Sequence, residues 1–369
     1  MTKKQWIADG LLLAAAIIWG SAFAVVKNTL DSVPPSMMIA LRFGIAALIS
    51  GVILRKHLRG LTRGQVLMGL LVGVLTGLAY IVQTIGLQDT TAGKNAFLTT
   101  IYVLLVPFGS AVLFHEKLGA RRYVAAVLML LGIGILSLDG ESGGLNRGDV
   151  LTLVCGVLYA AQIISVGRCN ERMDTYALIV LEFAFAALTG LCWSLATERG
   201  MPIQWNMQSI GGILYVAVFS TMLASSCQNI AQKLAPTSHA ALLMSLESVF
   251  GVLSGVIFLG EKLTIRMGLG FLVIFAAVVL LAQCGCIWAK GALNEEMAGY
   301  FAQIMALPVA ACLLVYWLGT ISSSARILDM TGAGFTYEKL VCALLLPIPF
   351  LFFFKKGGAA KKNVTQAAQ

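Results

Sequence analysis

The sequence predicts an all-α polytopic membrane protein, a ten-helix inverted repeat (5+5) with an additional C-terminal helix pair. Three observations predict this fold class. Only 12% of the residues are charged and 59% are hydrophobic, whereas about a quarter of a soluble domain is charged. Apolar runs of about 20 residues, the length that crosses a bilayer, follow one another along the chain. The short charged sequence LFHEKL at 113–118 returns as FLGEKL at 258–263.

The apolar runs predict ten membrane spans in the first 285 residues and two in the remainder. An even count places both termini on one side. The first run also resembles a secretory signal, since Lys3 and Lys4 precede an apolar stretch that ends in Ser-Ala-Phe-Ala, but Lys27 and the later spans favour a retained first span. The predicted spans lie at about 11–29, 37–54, 66–87, 92–114, 123–138, 149–168, 175–197, 209–232, 237–259 and 266–283, with the additional pair at about 300–320 and 337–354.

The basic residues predict the orientation of these spans. If the N-terminus is cytoplasmic, 17 of the 26 Lys and Arg residues fall in cytoplasmic segments, as the enrichment of Lys and Arg in cytoplasmic loops requires. The net charge of +9 then describes loops that face anionic lipid. No basic stripe with interleaved aromatic residues indicates nucleic-acid binding. We therefore expect a multi-pass protein of the bacterial inner membrane with both termini in the cytoplasm.

The sequence lacks the residue patterns of an enzyme, a metal site or a cofactor site. His115-Glu116 is not followed by the second His of a zinc-protease helix. Cys284 and Cys286 form a CxC pair without the further ligands that a structural zinc site needs. We therefore expect no enzymatic activity, no cofactor and no metal centre.

Two shifts of the sequence against itself reveal an internal repeat. A shift of 145 residues places Glu116-Lys117-Leu118 on Glu261-Lys262-Leu263. A shift of 140 residues places RFGIAAL at 42–48 on EFAFAAL at 182–188. The protein is therefore predicted to contain one five-helix unit written twice.

The repeat predicts three parts of the chain. A first five-helix unit covers 1–140, and a second, inverted unit covers 141–285. Residues 286–369 supply a linker, two additional helices and a basic cytoplasmic tail. Because five is odd, the second unit begins on the opposite side of the membrane, which produces a pseudo-twofold axis in the membrane plane. Such inverted repeats are typical of secondary transporters, although repeats also occur in channels and scaffolds.

Several short sequences resemble the EamA-type transporters of the drug/metabolite transporter superfamily. They are WGSAFAVVK near the start, ALRF in the second span and EKL at the end of each half, and the resemblance extends over about 7–283. It implies ten helices with cytoplasmic termini and, as substrates, small metabolites, often amino acids or related compounds, that are moved outward. Two features depart from the family pattern. Ser248 stands where Pro usually follows the Glu of the ninth helix, and the additional C-terminal pair has no place in the usual ten-helix pattern.

Polar side chains recur at helical spacing on one face of the third and eighth spans. The third span carries Thr76, Tyr80, Gln83 and Thr84, and the eighth carries Thr221, Ser225, Gln228 and Asn229. Facing stripes predict a cavity between the halves, with aromatic walls that suit a small organic ligand. The alternative is that these side chains only hydrogen-bond neighbouring helices. The predicted substrate-binding residues are Trp19, Phe23, Tyr80, Gln83, Asn95, Thr99, Tyr102, Tyr159, Gln162, Ser225, Gln228, Asn229 and Glu247.

Arg42, Glu182 and Glu247 are ionisable residues inside predicted spans, where charges are costly and usually functional. The inversion places Arg42 and Glu182 near opposite surfaces, so no ion pair is expected between them. Arg42 is predicted to extend to the lipid headgroups in preference to a gate contact, and the role of Glu182 is left open. Glu247, roughly 12 Å deep, is predicted to bind the coupling proton or the substrate. The alternative is a protonated carboxyl that only hydrogen-bonds a neighbouring helix.

These features predict a secondary active transporter that exports a small polar or amphipathic metabolite by alternating access, with proton coupling. The expected partners are a small-molecule substrate and the lipid bilayer, and a homodimer is compatible with the sequence. Two alternatives stay open. One is an importer or a carrier of a nucleotide-linked or lipid-linked substrate. The other is a non-transporting membrane assembly or sensor subunit.

Overall fold

A computed structural model of the chain describes residues 3–114, 120–137, 145–261 and 264–288. Over these residues the regular structure is helical, without β-strands. The predicted additional pair at about 300–320 and 337–354 lies outside the described residues. Ten helices are numbered in chain order: α1 Lys3–Thr29, α2 Pro35–Ile53, α3 Arg63–Gln88, α4 in two parts (Ala92–Thr99 and Tyr102–Phe114), α5 Ala120–Ser137, α6 Arg147–Asn170, α7 Thr175–Thr197, α8 Met207–Leu234, α9 in two parts (Thr237–Met244 and Glu247–Leu259), and α10 Ile265–Trp288.

The helices confirm the predicted polytopic membrane architecture. Within the described ranges, eight of them are long and apolar enough to cross a bilayer. Helices α5 and α10 contain shorter apolar stretches, Tyr123–Leu136 and Ile265–Val278. Each of the ten predicted spans therefore corresponds to one observed helix, in the predicted order.

Polar residues in the short loops determine where several helices begin. The first turn of a helix leaves backbone N–H groups without partners, and a side-chain oxygen just before it can accept from one of them. Thr62 accepts from the backbone N–H of Gln65, and the Gln65 side chain accepts from the backbone N–H of Thr62. Asn146 and Asp149 form the same reciprocal pair at the start of α6. These capping boxes set the first residues of α3 and α6.

Helix packing shows the same pseudo-twofold relation that the repeat predicts. Helix α1 packs on α8 and α9, and its counterpart α6 packs on α3 and α4. Helix α2 packs on α7 and α8, and α7 packs on α2 and α3. Two further pairs, α4 with α9 and α5 with α10, join counterparts directly. Exchanging the halves leaves these pairings unchanged, and five helices in each half make the two halves inverted.

Two glycines allow the close helix contacts that position buried carboxylates. A β-carbon at Gly20 in α1 would overlap the Cβ of Phe250 and would lie 2.8 Å from the carbonyl oxygen of Glu247 in α9. A β-carbon at Gly73 in α3 would lie 2.9 Å from the carbonyl oxygen of Glu182 in α7. Small residues let membrane helices approach this closely. Each glycine therefore lets its own helix pack directly against a helix that carries a buried carboxyl group.

Helices α4 and α9 are interrupted, although the sequence predicts continuous spans. The breaks fall at Thr100 and Ser245, which are repeat equivalents 145 residues apart. The Thr100 hydroxyl donates to the Phe97 carbonyl at 2.6 Å, and the Ser245 hydroxyl donates to the Leu242 carbonyl at 2.7 Å. Such side-chain hydrogen bonds compete with the helical backbone bonds and bend helices. Broken helices at the repeat interface are typical of transporters.

Candidate substrate-binding site

A cavity of about 60 Å³ lies between the two halves. It has room for about four water molecules. Helices α1 to α4 of the first half and α6 to α9 of the second half contribute side chains to its wall. Ten of the predicted site residues line it: Trp19, Phe23, Tyr80, Gln83, Tyr102, Tyr159, Gln162, Ser225, Gln228 and Glu247. The structure thus brings these ten together, and their contact with a substrate stays a prediction.

The other three predicted site residues hydrogen-bond neighbouring groups of the protein. Asn95 donates to the Thr152 hydroxyl at 2.8 Å. Thr99 donates to the Asn95 carbonyl at 2.8 Å and accepts from the Gln83 amide at 3.2 Å. Asn229 donates to the Glu182 carboxylate at 2.7 Å. For Asn95, Thr99 and Asn229 the geometry matches the alternative in which polar side chains hold helices together.

Three tyrosines form the aromatic wall of the cavity. The Tyr80 and Tyr159 rings meet edge to face with centroids 5.4 Å apart, and the Tyr159 and Tyr102 centroids are 6.5 Å apart. The Tyr159 hydroxyl donates to the Gln83 side-chain carbonyl at 2.9 Å. Edge-to-face aromatic pairs are favourable, so this wall is an ordered surface.

Glu182 is buried, and three protein donors contact its carboxylate. The Thr76 hydroxyl and the Gln162 amide donate to Oε1 at 2.8 and 3.0 Å, and the Asn229 amide donates to Oε2 at 2.7 Å. Both oxygens of the carboxyl group therefore have hydrogen-bond partners. The sequence left the role of Glu182 open because spacing does not show which donors surround a buried group.

The prediction that Arg42 extends to the lipid headgroups is wrong. Its side chain is 1% exposed and points inward, where Nε donates to the Thr221 hydroxyl at 2.7 Å and Nη2 donates to the Ser220 hydroxyl at 2.8 Å. Its guanidinium carbon lies 4.7 Å from the centroid of the Tyr80 ring. Both hydroxyls belong to a π-helical segment of α8, Val216–Leu223. Because α2 packs on this segment, Arg42 finds polar partners inside the protein.

Glu247 begins the second part of α9 and is 7% exposed. Its repeat equivalent Tyr102 begins the second part of α4, and the two side chains lie beside each other. Their contact does not meet the geometry of a hydrogen bond, and the Tyr102 hydroxyl has no hydrogen-bond partner in the described part of the chain. Equivalent residues meet in this way near a twofold axis. Over the same ranges, no group of three or more His, Cys, Asp or Glu residues could hold a metal ion.

The model of the EamA-like transporter family matches the chain twice, over residues 6–138 and 146–283. The chain belongs to the EamA-like transporter family. It is a multi-pass membrane protein, and each half carries one copy of the family's repeat. The family membership confirms the resemblance seen in the sequence and makes this protein a transporter.

Three relatives of this EamA-family chain are named as transporters. An "Uncharacterized transporter" of Archaeoglobus fulgidus is 32% identical over 287 residues, which are 76% of this chain and 87% of the relative. The "Uncharacterized inner membrane transporter YedA" of Escherichia coli K12 is 27% identical, over 74% of this chain and 89% of the relative. The "Uncharacterized transporter YvbV" of Bacillus subtilis is 23% identical, over 73% of this chain and 90% of the relative.

A solved structure shares the fold of this EamA-family chain. Its TM-score is 0.59 at 18% sequence identity, and the match covers 77% of this chain and 99% of that one. At this identity the likeness shows the fold alone.

Two ion pairs that the sequence analysis missed join the halves of this transporter at its two ends. Lys94 Nζ in α4 lies 2.7 Å from Asp149 Oδ2 in α6. Asp9 Oδ1 in α1 lies 2.7 Å from His239 Nε2 in α9. A shift of 145 residues relates Lys94 to His239, and a shift of 140 relates Asp9 to Asp149. The shifts therefore relate the two ion pairs to each other, so that either pair, once known, identifies its counterpart.

The glutamate of the second EKL sequence binds the first turn of α4 at one end of the bundle. Glu261 accepts from the backbone N–H groups of Ala92 at 2.6 Å and Gly93 at 3.1 Å. These groups belong to the first turn of α4, where a carboxylate is favourable. The carboxylate of the second half thus caps a helix of the first half. Its repeat equivalent Glu116 lies outside the described residues.

Proposed function

We propose that this EamA-family transporter is a secondary active transporter that exports a small polar or amphipathic metabolite by alternating access. The observation that carries the proposal is the cavity between two inverted halves, because both halves supply its wall. In inverted-repeat transporters, one half rocks against the other around such a site. The outward direction rests on the family resemblance, which implies metabolites moved out of the cell.

The lining of the cavity supports a substrate that is partly apolar and partly polar. Trp19, Phe23 and the three tyrosines of the aromatic wall supply apolar surface, while Gln83, Gln162 and Gln228 supply amide groups. A few placed polar groups among aromatic side chains are typical of sites for small organic molecules. The interruption of α9 next to Glu247 and its counterpart in α4 place two broken helices at the cavity, where one half can move against the other.

Glu247 is the proposed carrier of the coupling proton. The carboxylate of Glu182 is occupied by Thr76, Gln162 and Asn229. Glu247 forms no comparable set of hydrogen bonds and no ion pair among the described residues, yet it lines the same cavity. A carboxyl inside the membrane that reaches a polar cavity can bind a proton and release it. Glu247 therefore combines access with the freedom to change its charge.

A flux experiment in proteoliposomes tests the proposal. The full chain is reconstituted, a pH gradient is imposed, and the accumulation of labelled amino acids, nucleosides and sugars is measured. We expect accumulation of at least one class, and we expect Glu247→Gln to preserve exchange at equal pH on both sides while abolishing accumulation driven by the gradient. Glu171→Gln is the matched control, since Glu171 is exposed and pairs with Arg168, and this variant should behave like the parent.

Three results would contradict the proposal. The absence of flux for every class argues against transport of such metabolites. Accumulation by Glu247→Gln at the parent rate excludes Glu247 as the coupling site. Accumulation only in vesicles in which the cytoplasmic face of the protein points inward corresponds to import, so it argues against export.

A further inference from the structure

Arg42 carries a buried positive charge for which the described residues supply no counterion. It lines the cavity and is 1% exposed, yet it belongs to none of the ion pairs formed by the described residues. Its hydrogen bonds go to Thr221 and Ser220, and both acceptors are neutral hydroxyls. Nη1 makes no hydrogen bond within the described ranges. Because an uncompensated buried charge is costly, the site favours a ligand that supplies a negative charge.

The repeat shows what Arg42 lacks. Arg42 and Glu182 are equivalent positions, and each bonds the equivalent threonine of the other half, Thr221 for Arg42 and Thr76 for Glu182. One position therefore carries a guanidinium and the other a carboxyl group within the same framework. The Glu182 carboxyl receives further hydrogen-bond donors, whereas no described residue supplies a further acceptor to the Arg42 guanidinium.

The difference lies in two further pairs of equivalent positions. Glu182 receives two amide donors, from Gln162 and Asn229. The repeat equivalents of these two residues are Ala22 and Thr84, which line the cavity and form no hydrogen bond with the guanidinium. At these two positions the first half therefore supplies no acceptor to Arg42, and a molecule in the cavity can supply one.

Neither carboxylate of the cavity reaches Arg42. Glu182 is held by its own three donors. Glu247 lies beside Tyr102, and the row of aromatic rings from Tyr80 to Tyr102 leads from the guanidinium to that carboxyl. The cavity therefore presents a positive group at one place and carboxyl groups at others.

The guanidinium is held in a fixed orientation. Two hydroxyls of the π-helical segment accept from Nε and Nη2, and the Tyr80 ring lies beneath it at 4.7 Å, in the geometry of a cation–π contact. π-Helical segments occur frequently at functional sites. A fixed, planar guanidinium edge matches the two oxygens of a carboxylate, with which arginine forms paired hydrogen bonds.

We infer that Arg42, held by Ser220 and Thr221, is the subsite for a carboxylate group of the molecule that occupies the cavity. Among the described residues that line the cavity, Arg42 is the one Lys, Arg or His, so a group with a single negative charge balances it. A phosphate monoester, with close to two charges at neutral pH, would leave negative charge uncompensated. This inference rests on the proposed function, because it assigns part of the same site, and it adds the charge of the substrate.

A binding experiment on the full chain in detergent tests the inference. Thermal unfolding is followed with four carboxylic acids and their amides: benzoate and benzamide, phenylacetate and phenylacetamide, L-phenylalanine and its amide, and L-leucine and its amide. Inorganic phosphate is a further probe. A ligand of the folded state raises the unfolding temperature. We expect at least one acid to stabilise the protein where its amide does not.

Variants connect that preference to Arg42. Arg42→Gln should weaken binding of the acid roughly 10- to 100-fold, and Arg42→Lys, which keeps the charge, should weaken it less. Arg59→Gln is the matched control, since Arg59 is exposed in the loop after α2, and it should bind like the parent. The inference is overturned if amides stabilise as well as acids, if phosphate stabilises and no acid does, if no acid stabilises, or if Arg42→Gln binds at parent affinity.

A second pair of variants covers the case in which Arg42→Gln does not yield monodisperse protein. Ser220→Ala and Thr221→Val keep the guanidinium and remove the hydroxyls that orient it. Each should weaken acid binding several-fold and leave any amide binding unchanged, and parent affinity in both would overturn the inference. Binding in detergent needs no gradient, so the two hypotheses fail separately. Acid binding without flux would contradict the proposed function alone, and flux of an acid at the parent rate in Arg42→Gln would contradict this inference alone.

Discussion

The two ends of the bundle are held by equivalent ion pairs of different chemistry. Lys94 and Asp149 join α4 to α6, and Asp9 and His239 join α1 to α9, with an N···O distance of 2.7 Å in both. A Lys ammonium keeps its charge at physiological pH, whereas a His side chain is the one that ordinarily changes charge between about pH 5 and 8. The inverted fold supplies the same place for an ion pair at each end, and the residue types make the ends unequal.

Their surroundings differ as well. The Lys94 and Asp149 side chains are 8% and 0% exposed, whereas those of His239 and Asp9 are 26% and 9% exposed. Asp149 also accepts from the Thr90 hydroxyl at 3.0 Å and from the backbone N–H of Asn146 at 3.2 Å. In alternating access each end must open in turn, so we expect the Lys94 end to be the harder one to open.

Breaking the Lys94 pair should have the largest effect. Asp149→Asn keeps the shape of the side chain and leaves the Lys94 ammonium buried without its counterion, which costs about 3 to 5 kcal/mol. The unfolding temperature in detergent should fall by roughly 10 °C. The matched control is Asp89→Asn, because Asp89 forms an exposed pair with Arg147 at 3.8 Å, and its effect should stay below about 1 kcal/mol. Equal effects of the two substitutions would contradict the assigned importance of the buried pair.

Breaking the His239 pair should have a smaller effect. Asp9→Asn should cost about 1 to 2 kcal/mol at pH 5.5, between the values for exposed and buried pairs, because the His239 side chain is 26% exposed. The unfolding temperature in detergent measures this cost. A cost as large as that of Asp149→Asn would contradict the assigned order of the two pairs.

Making the two ends alike sharpens the comparison further. In His239→Lys both pairs contain an ammonium, so the stability difference from the parent should be about 1 kcal/mol or less at pH 5.5. The unfolding temperature in detergent measures this difference. A larger loss of stability would mean that this end requires the imidazole itself.

The smallest effect is expected from an exposed His-Asp pair that lies outside the spans. His57 lies 3.0 Å from Asp174, at the start of α7. Burial raises the pKa of the Asp174 carboxyl. Hydrogen bonds from His57 and from the backbone N–H of Tyr176 lower this pKa by more than burial raises it, so the pKa lies below the ordinary value. Stability from a lowered Asp pKa is present above its unfolded value of about 4 and is lost as the pH falls.

His57→Gln should therefore cost less than about 1 kcal/mol near pH 6, and the difference should vanish as the pH falls through the lowered pKa of Asp174. Unfolding temperatures at pH 6 and pH 3 measure it. A cost as large as that of Asp9→Asn at pH 5.5 would mean that burial does not separate the two His-Asp pairs.

The spans could be predicted from the sequence because bilayer thickness fixes the length of each apolar run. The interruptions of α4 and α9 could not. Thr100 and Ser245 are ordinary residues of an apolar run, and only their hydrogen bonds to Phe97 and Leu242 show the break. Pro107, which does signal a break, lies inside the second part of α4.

The site could be predicted in part for a related reason. Spacing shows which side chains share a helix face, so Tyr80 and Gln83 are found together at the cavity. Spacing does not show which helix lies opposite. The sequence predicts Arg42 in the headgroups because nothing in α2 reveals that the hydroxyls of α8 face it. The ion pairs at the ends were missed for the same reason, since each joins residues of different halves.

The cap that Glu261 places on α4 has a consequence for biosynthesis. The first turn of α4 leaves the ribosome with Ala92 and Gly93, but its capping carboxylate follows 169 residues after Ala92. At about 5 to 20 residues per second, roughly 10 to 30 s pass between the two. During that interval the N-terminus of α4 has no carboxylate from the second half. Thr91 caps the backbone N–H of Lys94 from the start, whereas the N–H groups of Ala92 and Gly93 receive their carboxylate only after most of the second repeat has been translated.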